Sequence, residues 1–181
     1  SKSIFIFDKK KLVKDILNKF PNIEEIKAQK KLPNNLILTI KERKPFAVFC
    51  QSDNCFFIDE NGVIFELLQN LPKNMVVITK ELSGAEFFLG ENIIDKNIIN
   101  MVSKVQKDLK DNFQVDIKEV FVSNPLIFKT SENWQIYFDI NSDINLQITK
   151  MNILLKDEIP ANTRKNIQYI YLQYKDRAYY K

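Results

Sequence analysis

Histidine is absent from this chain of 181 residues, which removes the commonest general base and the commonest metal ligand together. Glycine is scarce. Gly62, Gly84 and Gly90 are the three present, and none stands in a phosphate-cradling pattern. No apolar run reaches membrane-spanning length and no signal peptide opens the sequence. The chain as it stands is therefore expected to be soluble, although it could be a piece of an anchored protein. These absences weigh against histidine-dependent hydrolases, zinc enzymes and nucleotide-binding loops.

What remains is ordinary globular material, 45% hydrophobic and 28% charged, enough for one or two domains. Fourteen Phe, six Tyr and one Trp are ample for cores. The net charge of +4 is mild, and the longest basic run, Lys9-Lys10-Lys11, reads as a solvated face rather than a nucleic-acid patch. Two cysteines, Cys50 and Cys55, flank the polar tetrapeptide Gln51-Ser52-Asp53-Asn54 between two aromatic runs, so they bracket a hairpin turn. Direct pairing of the two strand ends would bring their Cα atoms within disulfide range. Closing so short a loop would add about 2 kcal/mol. A bridge is favoured over two free thiols, and it would imply an oxidising compartment.

In chain order, Ser3 to Phe7 is a short apolar run. Asp8 caps a helix in which Leu12, Val13, Ile16, Leu17 and Phe20 recur at helical spacing, and Pro21-Asn22 ends it. Ile23 to Lys31 reads as a strand. Across a Pro33-Asn34-Asn35 turn, Leu36, Leu38 and Ile40 alternate along a half-buried antiparallel partner that runs into Glu42-Arg43-Lys44-Pro45. A helix on two strands is too small to be stable alone. The runs 46–50 and 55–59 form the next hairpin, apolar on both faces and so expected to be buried. Gly62 suits the positive-φ position of the turn that follows. Residues 67–95 are turn-rich, with a strand from Met75 to Ile78 and turns at Ser83-Gly84 and Leu89-Gly90-Glu91. Asp95 caps a helix with Ile98, Val102, Val105, Leu109 and Phe113 on one face. Strands are expected at 115–122, 126–130 and 134–140, then an amphipathic helix from Asp143 to about Glu158 that puts Ile144, Ile148, Met151, Leu155 and Ile159 toward the core. The chain closes with a strand over 166–174, its Ile170 and Leu172 inward, a turn at Lys175-Asp176-Arg177 and a terminal aromatic strand at a sheet edge. The fold class is α+β.

The stretch Pro33, Asn34, Leu36, Leu38, Ile40, Glu42, Arg43, Pro45 resembles the end of a POTRA domain, and more narrowly that of the FtsQ/DivIB family of bacterial cell-division proteins. The resemblance continues through Ile58-Asp59, Gly62 and Phe65, where that family opens its β domain. It returns at Tyr169-Ile170-Tyr171-Leu172-Gln173-Tyr174, with Tyr171 and Gln173 standing where the family usually has an acid and an arginine. It implies a C-terminal part of a POTRA domain over 1–44, its first strand and helix lying before residue 1, and a mainly antiparallel β domain with two amphipathic helices over 45–181.

The resemblance further implies a non-enzymatic, single-pass plasma-membrane protein without cofactor or metal. Its extracytoplasmic part would stand at the division septum and bind bitopic proteins of the FtsB/FtsL type, helping to recruit and regulate septal peptidoglycan synthesis. The docking edge falls on Gln173, Tyr174, Arg177, Ala178, Tyr179 and Tyr180. An exposed edge strand can accept an added peptide strand, and tyrosines give contact area at low entropic cost. Two alternatives stay open: a POTRA module of an outer-membrane assembly or secretion system, and a small extracytoplasmic hydrolase. The hydrolase would have to rely on carboxylates, and Asp59-Glu60 are adjacent turn residues that face different ways. The tyrosines of the tail could equally pack over the β domain's own core.

Overall fold

The computed structural model describes residues 8–31, 33, 35–81, 86–175 and 177–181. The run from Ser3 to Phe7, Leu32 and Asn34 of the first turn, the Ser83-Gly84 turn and Asp176 lie outside the described residues. Helix α1 (Lys9–Lys19) starts where Asp8 accepts hydrogen bonds from the backbone N–H groups of Lys10 and Lys11. It packs on β1 (Ile23–Lys31), which pairs antiparallel with β2 (Asn35–Glu42) in a two-stranded sheet.

The alternation in β2 misled in one respect. Ile26, Ala28 and Lys30 of β1 pair with Ile40, Leu38 and Leu36, so these residues share one face. Yet Leu38 and Ile40 are 38% and 50% exposed instead of half-buried. Among the described residues α1 is the helix that packs on this sheet, it lies over β1, and it buries no residue completely.

The remaining strands form one nine-stranded sheet: β3 (Ala47–Gln51), β4 (Asn54–Ile58), β5 (Ile64–Leu68), β6 (Val77–Lys80), β7 (Ile117–Val122), β8 (Leu126–Thr130), β9 (Gln135–Phe138), β10 (Tyr169–Tyr171) and β11 (Tyr179–Tyr180). The spatial order is β11-β10-β9-β8-β7-β6-β3-β4-β5. Hairpin neighbours pair antiparallel, whereas β3 with β6, β6 with β7 and β9 with β10 pair parallel. Parallel neighbours need crossovers, and α2 (Lys96–Phe113) and α3 (Ile144–Ile153) supply two of them. Asp95 and Asp143 cap these helices as their sequences predict. Val102, Val105 and Leu109 of α2 and Met151 of α3 are fully buried in the core with Phe49, Ile78, Val120, Phe128, Trp134, Ile136 and Ile170.

Two expected elements differ. The helix from Asp143 holds α geometry only to Ile153 and widens into a π turn over Leu154–Glu158, where Ile159 N–H donates to Leu154 O. That turn keeps both Leu155 and Ile159 buried. The strand expected over 166–174 contracts to three residues, because the short helix α4 (Ala161–Arg164) delivers the chain to β9 from the side; Ile170 and Leu172 are still inward. No helix among the described residues is long and apolar enough to cross a membrane. Cys50 and Cys55 are direct partners in the β3–β4 register and are joined by a disulfide, with Cα atoms 4.1 Å apart.

One side chain joins the two sheets. Arg43 donates from Nε to Pro21 O at 3.0 Å and from Nη1 to Asp59 Oδ2 at 2.5 Å. The side chains of Arg43 and Asp59 are only 15% and 3% exposed. The other Asp59 oxygen accepts from the N–H groups of Asn61 and Val63. In the same loop Gly62 has φ +82°, and a Cβ there would fall 1.8 Å from Ile94 O. Arg43→Ala leaves a buried carboxylate unpaired and should lower the unfolding free energy by about 3 kcal/mol, read from urea denaturation. Limited proteolysis should then cut first near residue 43.

Candidate functional site

The C-terminal edge is built from three segments. β9 and β10 run parallel, with Tyr169, Ile170 and Tyr171 opposite Gln135, Ile136 and Tyr137. β11 then folds back antiparallel on β10, with Ile170 opposite Tyr180 and Tyr171 opposite Tyr179. Successive residues of a strand face opposite sides. Tyr179 therefore continues an outward row with Tyr171 and Tyr137, whereas Tyr180 lies on the helix-covered side beside Ile170. Both are 45% exposed.

The residues expected at the docking edge are not all brought together. Tyr174 stands edge-on to Tyr179, ring centroids 5.4 Å apart, and Arg177 Nη1 reaches the Tyr179 hydroxyl at 3.5 Å. These three form one exposed cluster. Tyr180 points to the other side of the sheet, and half-buried Ala178 packs against the core. Gln173 is half-buried, and its Oε1 is shielded without a hydrogen-bond partner among the described residues.

Other participants were not named among the expected edge residues, although Tyr169 and Tyr171 lie in the stretch that carries the C-terminal resemblance. Tyr137, Tyr169 and Tyr171 form a continuous aromatic patch, with Tyr171 4.5 Å from each of the other two. Burial first, and then the neighbouring Tyr171, raise the Tyr137 phenol above the usual tyrosine range. The alternating Tyr-Ile-Tyr pattern carries the signal for two of these rings. Lys150 on α3 donates to the carbonyls of Tyr174 and Lys175 at 2.7 and 2.6 Å, closing the end of the tail; nothing local in the sequence marks that reach. A groove runs beside this contact, with Leu146, Gln147 and Leu172 on its walls. Gln147 is buried by bonding the backbone N–H and C=O of Asp139.

The edge is fixed from behind by a second ion pair. Arg164 forks onto Glu132, Nε to Oε2 at 2.7 Å and Nη2 to Oε1 at 2.9 Å, while Nη2 also reaches Phe113 O. Trp134, whose side chain is fully buried, donates its indole N–H to the same carboxylate at 3.0 Å. This joins α2, the β8–β9 turn and the helix that leads into β10. Among the described residues no three His, Cys, Asp or Glu side chains gather as a metal site.

No family model matches the chain. Curated relatives do. It is 32% identical to a cell division protein DivIB of Clostridium botulinum (strain Hall) over 176 residues, covering 87% of this chain and 63% of that protein. It is 26% identical to DivIB of Clostridium tetani over 153 residues, 81% of this chain and 57% of the relative. Over 68 residues it is 34% identical to a cell division protein FtsQ of Novosphingobium aromaticivorans, 37% of this chain and 21% of that protein. These alignments make the chain similar to the FtsQ/DivIB family of cell division proteins. The chain spans 57% to 67% of the length of the DivIB proteins it matches.

In this DivIB-like chain the Arg164 guanidinium, and secondarily the Trp134 N–H, hold the Glu132 carboxyl below the usual glutamate range. A carboxyl depressed in the folded state stabilises above its unfolded pKa, and that contribution is lost as pH falls through the folded one. Stability should therefore decline below about pH 4.5, and Glu132→Gln should flatten that part of the acid limb. At neutral pH the same substitution should cost about 2 kcal/mol, since Glu132 is partly exposed. Urea midpoints measured across pH for both proteins check this.

Proposed function

We propose that this chain is extracytoplasmic material of a bacterial division scaffold. It binds a bitopic division protein of the FtsB/FtsL type by adding the partner's strand to β11, and so helps recruit and regulate septal peptidoglycan synthesis. The observation that carries this reading is an edge strand, paired on one side with β10 and bearing two half-exposed tyrosines, in a chain that aligns with DivIB proteins over more than four fifths of its length. Backbone groups on the outer side of β11 would provide the ladder. Tyr174, Arg177 and Tyr179 would read one face of the added strand and Tyr180 the other. Residues 1–44 are read as part of a POTRA domain and 45–181 as the β domain. The whole protein is read as single-pass, septal and non-enzymatic. The Cys50–Cys55 disulfide fits an oxidising, extracytoplasmic setting.

Tyr179→Asp or Tyr180→Asp should weaken binding to the partner's ectodomain by at least about tenfold, measured by calorimetry, with an unchanged circular dichroism spectrum. Full affinity in both variants would move the site elsewhere. Protein purified without reductant should have an intact mass two hydrogens below that of the reduced chain. A fully reduced mass would remove the support drawn from compartment.

A further inference from the structure

Charge is divided unevenly along the chain. Residues 1–44 hold twelve Lys and Arg against five Asp and Glu, a balance of +7, so the rest carries −3 of the net +4. Much of the excess converges at one end of the α1–β1–β2 unit. The chain reverses between α1 and β1, which brings the start of the helix beside the end of the strand: Lys9 Nζ donates to Ala28 O at 3.3 Å. Lys9, Lys10 and Lys11 in the first turn of α1, Lys14 in the next, and Lys30 and Lys31 at the end of β1 thus share that end. All six are exposed. None has a carboxylate partner among the described residues. Asp8 directs its carboxylate to the N–H groups of Lys10 and Lys11, and α1 has no acid in its first turn.

This arrangement is unfavourable for the helix itself. Cations in the first turn face the positive end of the helix dipole, where acids stabilise. Folding alone does not account for three consecutive lysines there. Beneath them lies an apolar floor: Val13, Leu17 and Ala28 line a shallow groove rimmed by Lys9, Lys10 and Lys14. A cationic rim over an apolar floor complements a surface that is anionic outside and apolar just beneath.

We propose that this end of the molecule rests on the headgroups of an anionic bilayer, with the lysines on lipid phosphates and Val13 and Leu17 toward the acyl boundary. A soluble polyanion would match the lysines but not the apolar floor. The surface lies on a different sheet from β11 and is tested separately from partner binding. The full chain should co-sediment with vesicles made of equal parts phosphatidylglycerol and phosphatidylcholine and not with pure phosphatidylcholine. Binding should vanish near 1 M salt, where the Debye length is about 3 Å. The quadruple variant Lys10→Gln, Lys11→Gln, Lys14→Gln, Lys31→Gln should bind these vesicles at least roughly a hundredfold more weakly. Its urea midpoint should stay the same or rise, because charge leaves the unfavourable end of the helix. Equal binding to neutral vesicles, undiminished binding by the variant, or binding to soluble polyphosphate without binding to anionic vesicles would each overturn the proposal.

Discussion

The Arg43–Asp59 ion pair is the constraint on which the arrangement of the two sheets depends. The α1–β1–β2 unit has little core of its own; among its described residues Ile23 and Ile26 are the buried hydrophobic ones. Such a unit is not expected to hold an orientation by apolar burial alone. Arg43 gathers the turn after α1 and the exit of β2 onto one carboxylate: its N–H bonds Asn22 O at 2.8 Å and its Nε bonds Pro21 O. The carboxylate is already organised by two backbone donors of the β4–β5 loop. Desolvating both charges makes the pair a modest source of net stability and a strong source of specificity, because any other orientation strands a buried charge. The constraint then passes along the loop. Gly62 O accepts from the N–H groups of Ile93 and Ile94, and its missing Cβ lets that segment lie flat before it enters α2.

A second, partly buried ion pair does comparable work at the opposite end of the chain. After the π turn the backbone has no long element until β10, and β10 is only three residues. Arg164 pins this passage to Glu132, which Trp134 also holds. From that point Ile170 and Leu172 enter the core, and Lys181 exchanges backbone hydrogen bonds with Tyr169 to bring the terminus back as an edge. Both pairs fasten a segment poor in apolar burial to a sheet that is rich in it. In each, one partner is an arginine whose fork can meet several acceptors at once.

The sequence was most readable where the deciding interaction is local. Asp8, Asp95 and Asp143 bond N–H groups two or three residues ahead, and Gly62 answers a steric demand within its own turn. The stripes of α2 and the inward pair Ile170 and Leu172 follow from period alone. It was least readable where the partner is distant. Nothing near β10 says that it will lie parallel to β9, since that pairing depends on the helix between them. Arg164 and Glu132 stand 32 residues apart, and Lys150 reaches 24 residues to Tyr174. The alternation of Leu36, Leu38 and Ile40 correctly gave a strand but could not say how much helix lies above it. Of the expected edge residues, Tyr174, Arg177 and Tyr179 converge, whereas the pleat sends Tyr180 to the other side, a split that only the register with β10 defines.

The two ends of the nine-stranded sheet are not equivalent as landing places for a further strand. At the β5 end, Ile64 N–H bonds Glu91 O, Gly90 N–H bonds Ile64 O and Val63 bridges Asn92, so the start of that strand is already occupied from outside. Glu66 adds a charge to the stretch that follows, which discourages pairing. At the β11 end the last strand is only two residues long. A strand that short is a poor template for indiscriminate edge-to-edge association, and shortness is itself a common safeguard on sheet edges. Selective addition would then need side chains to supply what the brief ladder does not. Tyr174, Arg177 and Tyr179 lie on one side of that ladder and Tyr180 on the other, so an incoming strand could be read on both faces. The physical asymmetry between a partly covered, charged edge and a short, tyrosine-flanked one is what supports the proposed docking at β11 over docking at β5.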